Sequence, residues 1–80
     1  MDNVRTVPRY PTNRTAKISL GDGSVVGCNI RDLSTQGARI ELNAPAKIPD
    51  RFVLAIENLG VRHRCVVAWR AKNFMGVYFD

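Results

Sequence analysis

Eighty residues with 45% hydrophobic content suffice for one small globular domain, and are too apolar for a disordered chain. That length excludes a large enzyme core with a deep cleft and a two-domain hinge, and no run approaches the roughly 18 apolar residues of a membrane span. The net charge is +5, with cations gathered toward both ends of the sequence. Arg5, Arg9, Arg14 and Lys17 stand against Asp2 near the start, and Arg62, Arg64, Arg70 and Lys72 against Asp80 near the end. If the ends meet, such a distribution attracts phosphate.

The first fourteen residues contain Pro8, Pro11 and three arginines and show no apolar period. Proline removes donors and biases its neighbours to extended backbone, so neither a helix nor a central strand is expected over 1–14. No apolar run of signal-peptide length follows Met1, which makes the cytoplasm the expected compartment. From Thr15 the pattern changes. Ala16, Ile18 and Leu20 alternate with polar residues, the period of a half-buried strand. Gly21-Asp22-Gly23 is a hairpin signal, and Val26, Cys28 and Ile30 continue the alternation beyond it. Asp32 to Gly37 is expected to be a loop, and Ala38, Ile40 and Leu42 mark a third strand.

Residues 44–50 form a longer connection holding Pro45 and Pro49. Phe52, Leu54 and Ile56 alternate again, and Asn58-Leu59-Gly60 turns the chain. His63, Cys65, Val67 and Trp69 then share one face of a long strand, with Arg62 and Arg64 on the other. A turn over Arg70 to Asn73 leads to a last strand with Met75, Val77 and Phe79. Six strands with short turns and no amphipathic helix predict an all-β fold, an antiparallel barrel or small sandwich.

Catalytic chemistry finds little support. His63 is the sole histidine and faces inward on the alternating pattern, so it is expected to be structural. Cys28 and Cys65 lie within apolar runs and are expected to be reduced core thiols without an activating partner. Two cysteines and one histidine do not complete a zinc site, and neither a metal nor a cofactor is expected. No phosphate loop precedes a helix. The chain is not expected to be an enzyme.

Two stretches carry binding chemistry. Arg5-Thr6-Val7-Pro8-Arg9 sets two guanidiniums four residues apart on a stiffened segment. Arginine offers a planar fork for phosphate or a guanine edge and a flat face for stacking. Asp32-Leu33-Ser34-Thr35-Gln36-Gly37 joins turn-forming side chains to a glycine that can take positive φ. If extended, it projects Asp32 and Ser34 to one side, where they can read a base edge. An ordinary solvated tail and an ordinary turn are the competing explanations.

Together the two motifs resemble the PilZ domain, a bacterial receptor for cyclic di-GMP that carries RxxxR in an N-terminal switch segment and [D/N]xSxxG between its second and third strands. Gly37-Ala38-Arg39-Ile40-Glu41-Leu42, Val66-Val67-Ala68-Trp69-Arg70 and Gly76-Val77-Tyr78-Phe79 are similar too, so the resemblance covers nearly the whole chain. It implies a six-stranded antiparallel barrel over 15–80 behind a switch segment at 1–14, mobile alone and ordered by ligand. It implies that Arg5 and Arg9 grip guanines and phosphates, that Asp32 and Ser34 contact a guanine edge or ribose, and that Gly37 lets the backbone come close. Val4 precedes the motif, where the family's choice between one nucleotide and an intercalated pair is influenced.

The frequent C-terminal helix is not expected, because the sequence ends at Asp80 after the last strand. The implied function is a cyclic di-GMP receptor that signals to an effector protein. The alternative is a PilZ-fold adaptor that binds protein and not nucleotide. DNA or RNA binding is not expected, because Tyr10, Phe52, Trp69, Phe74, Tyr78 and Phe79 are the only aromatics and most are expected in the core.

Overall fold

The computed structural model describes residues 10–57 and 59–80, with the side chains of Tyr10 and Pro11 outside that description. Six strands follow in chain order: β1 (Tyr10–Ser19), β2 (Val25–Leu33), β3 (Gly37–Leu42), β4 (Arg51–Ile56), β5 (Val61–Ala71) and β6 (Phe74–Phe79). Every neighbouring pair is antiparallel, and the order β1-β2-β3-β6-β5-β4 closes when β4 pairs with β1. The expected all-β barrel is the one observed, with no helix among the described residues.

The alternation places the core as expected. Ala16, Ile18, Cys28, Ile30, Ile40, Leu54, Ile56, Cys65, Met75 and Val77 point inward and are buried. Burying each of the larger aliphatic chains contributes about 1.5–3 kcal/mol. Ile48 reaches in from the β3–β4 connection beside Phe52 and plugs one end of the barrel. His63 also points inward, and its ring stacks on Phe79 with centroids 3.9 Å apart. Burial pushes both thiols up to about 12, the neighbouring Cys65 adding to the effect at Cys28. The β1–β2 hairpin closes by a Leu20 N–H to Ser24 carbonyl bond of 3.1 Å, with positive φ at Gly21 and Gly23.

Three features depart from the sequence expectation. First, β1 begins at Tyr10, so residues 10–14 are strand rather than tail. Pro11 is tolerated because, among the described residues, this stretch pairs with β2 alone; β4 joins β1 only from Ala16 onward. Second, Asp32 and Leu33 belong to β2, and the loop is confined to Ser34-Thr35-Gln36. Third, Trp69 does not share the inner face with Cys65 and Val67. The β5–β6 register shifts between Val67 and Trp69, which inserts Ala68 as an extra residue and turns the indole outward, 45% exposed. A similar shift in β2 between Ile30 and Asp32 sets Asp32 opposite Arg39.

Candidate functional site

The register lines up five strands behind one row of residues. Pro11 on β1 pairs with Asp32 on β2, Asp32 with Arg39 on β3, Arg39 with Gly76 on β6, and Gly76 with Trp69 on β5. A second row on the same outer surface runs Gly37, Tyr78, Val66 and Arg51. Gly76, inside the first row, and Gly37, at the end of the second, have no side chain to fill the surface, and an open cavity of about 380 Å³ lies there. Ser34, Gly37, Arg39, Trp69, Gly76 and Tyr78 are among its lining residues.

Each glycine is required by a close approach. A Cβ at Gly37 would collide with the Val77 carbonyl of β6, and one at Gly76 would collide with the Trp69 indole, which lies flat against it. Gly37 does not adopt the positive φ that its place in a turn-like motif suggested; β3 has already begun there, and tight strand packing is the constraint.

Asp32 and Ser34 differ in what they offer. Asp32 Oδ2 accepts a charge-assisted bond from Arg39 Nε at 2.5 Å, and the same guanidinium sits 5.1 Å from the centre of the Phe74 ring. Arg39 lines the cavity, so it joins Asp32 to the cavity wall. The Ser34 hydroxyl accepts from the Gln36 and Gly37 N–H groups, both at 3.1 Å, and its distance to the Gly37 carbonyl is 3.3 Å. A hydroxyl has one donor and two acceptor sites, so all three are occupied by the loop. Ser34 thereby shapes the bend between β2 and β3, reinforced by its own N–H to the Gly37 carbonyl at 2.9 Å.

Of the five residues singled out from sequence, the structure brings Asp32, Ser34 and Gly37 together. Arg5 and Arg9, and with them most of the expected switch segment, lie outside the described residues. The structure adds Arg39, Trp69 and Tyr78. Tyr78 is 63% exposed, and with Trp69 it stands outside the core, where only Trp69 was expected to face inward. Tyr78 was legible from the alternation around Met75 and Val77, whereas Trp69 was hidden by the bulge. Among the described residues, no cluster of three or more histidine, cysteine or carboxylate side chains is placed to hold a metal. No helix there is long and apolar enough to cross a membrane.

No curated protein is significantly similar to the chain in sequence. The family model of the PilZ domain, however, matches residues 3–80, a span that includes both motifs and all six strands. A binding and adaptor domain family thus accounts for the barrel and for the loop beside the cavity, and the chain belongs to the PilZ domain family.

Proposed function

We propose that this protein is a cyclic di-GMP receptor which reports nucleotide occupancy to an effector protein. One observation carries the reading: the Asp32–Gly37 motif borders an open cavity whose other walls are Trp69, Tyr78 and Arg39. A guanine can stack on an exposed indole or phenol, worth about 1–3 kcal/mol per base. Arg39 and the Asp32 carboxylate beside it supply a donor fork and an acceptor for the base edge. Tyr10 pairs with Leu33, so the chain enters the barrel next to this loop, and Arg9 is one peptide bond further back. That connectivity supports Arg9 and Arg5 as the groups that close over the phosphates. Ser34 holds the loop in shape for the ligand. The role is one of binding rather than catalysis, with the nucleotide as messenger and not as cofactor, and the cytoplasm, where such a messenger acts, is the proposed compartment.

The occupied Ser34 hydroxyl is what favours a second reading, an adaptor that keeps the barrel and binds protein without nucleotide. Calorimetric titration with cyclic di-GMP, beside cyclic di-AMP and GTP, separates the two. Saturable heat with cyclic di-GMP alone is expected; its absence leaves the adaptor.

A further inference from the structure

The outer surface of β1, β4 and β5 carries charge that the fold does not use. Lys17, Ala55 and Arg62 form one cross-strand row, and Ser19, Val53 and Arg64 the next. Arg62 and Arg64 are two residues apart on β5, about 6.7 Å along the strand, and both are exposed. Among the described residues, neither forms an ion pair. The other cations of this face have carboxylates at its rim, Glu57 at 3.7 Å from Lys17 and Asp80 at 3.8 Å from Arg51.

Folding alone would be better served by an acidic residue at 53 or 55, because opposite charges directly across a strand pair stabilise it and neighbouring like charges oppose it. Instead Val53 and Ala55 separate the cations with short, half-buried aliphatics. The face continues through Val66 to Tyr78, which borders the cavity on the far side.

We infer that this face docks an acidic protein segment, its carboxylates meeting Arg62 and Arg64 and its small apolar side chains covering Val53 and Ala55. Charge complementarity selects an anionic partner. Between the guanidiniums, among the described residues, the face presents Val53 and Ala55, which are neither an aromatic platform on which bases could stack nor large apolar side chains to insert into a bilayer; the exposed Val25 and Tyr78 stand at its two edges. The barrel offers no free strand edge here, since β4 and β5 are each paired on both sides, so recognition is by side chains. This names a partner class for the receptor proposed above and rests on that reading for its biological context, although the surface itself is independent of nucleotide.

The test uses a labelled peptide of alternating glutamate and alanine, followed by fluorescence anisotropy and by amide shifts. Wild-type protein should bind it, with shifts centred on Val53, Ala55 and Val66. The double variant R62E/R64E, and the milder R62Q/R64Q should the first not fold, should lose about tenfold or more in affinity. The charge-matched K47E/K72E, altered at exposed positions on the plugged end of the barrel, should stay within about twofold of wild type. Equal loss in both double variants would reduce the face to bulk electrostatics and overturn the proposal. So would tighter binding of wild type to anionic vesicles or to a single-stranded oligonucleotide than to the peptide. Cyclic di-GMP affinity should be unchanged in R62E/R64E, and a parallel loss there would deny a separate surface. A wild type that takes peptide but no nucleotide supports the face while removing the receptor reading.

Discussion

Trp69 is the sole tryptophan, and its indole lies on Gly76 at the cavity wall, so intrinsic fluorescence reports on the site directly. Cyclic di-GMP should change both its intensity and its emission maximum, and Trp69→Ala should weaken binding about tenfold or more in a calorimetric titration. Arg9→Lys should bind poorly although the charge is kept, because lysine has neither the planar fork nor the stacking face. Full affinity in that variant would make the contact a point charge. Gly37→Ala should destabilise the fold by about 3 kcal/mol or more, lowering the melting temperature by about 15 °C, since its methyl group would collide with the Val77 carbonyl and crowd Tyr78 Cα, backbone that no rotamer change can move aside.

The thiols give a pH prediction at the same scale. Burial raises Cys28 and Cys65 to about 12 from an ordinary value of 9.0, so the folded state retains protons that the unfolded state releases. Their contribution is complete below pH 9 and is lost as the pH climbs toward 12, with a limiting slope of about 1.4 kcal/mol per pH unit for each thiol. Denaturant midpoints measured from pH 8 to 11 should fall less steeply in the Cys28→Ala/Cys65→Ala variant than in wild type.

Among the elements, regular strands were legible and irregular ones were not. Ala16 and Ile18, Leu54 and Ile56, and Met75 and Val77 announce their inward face by a period of two, because their own strands carry no inserted residue there. In β5 the period breaks at Ala68, and a bulge is a property of two strands in register, not of one strand's sequence. Alternation therefore placed Trp69 on the wrong face. The motif from Asp32 to Gly37 was visible as a motif, but its division was not. Asp32 closes β2 against Arg39, Ser34 ties the bend, and Gly37 opens β3 under Val77. Pro11 misled for a related reason. Its missing N–H excludes it only where a strand is paired on both sides, and pairing partners are not written in local composition.

For the whole molecule, the barrel is the fixed part and the residues before β1 are the part proposed to respond. Hydrogen exchange should show residues 3–9 gaining protection when cyclic di-GMP is added, whereas amides of β1 that bond to β2 or β4 stay protected in both states. Ordering costs about 1–2 kcal/mol per residue in backbone entropy, which the ligand's phosphates and bases would offset at Arg5 and Arg9. Identical exchange with and without nucleotide would leave a rigid site and no switch.

The pairing of Tyr10 with Leu33, and the 2.8 Å bond from the Phe79 N–H to the Gln36 carbonyl, bring the first and last strands to the same bend. The polypeptide thus enters and leaves the barrel at the rim where the motif sits. Tyr10 and Phe79 therefore lie beside the same bend, so a change at that bend reaches both the first and the last strand. A module joined through either end would attach beside the motif, so the proposed receptor could pass on its signal in either order of parts.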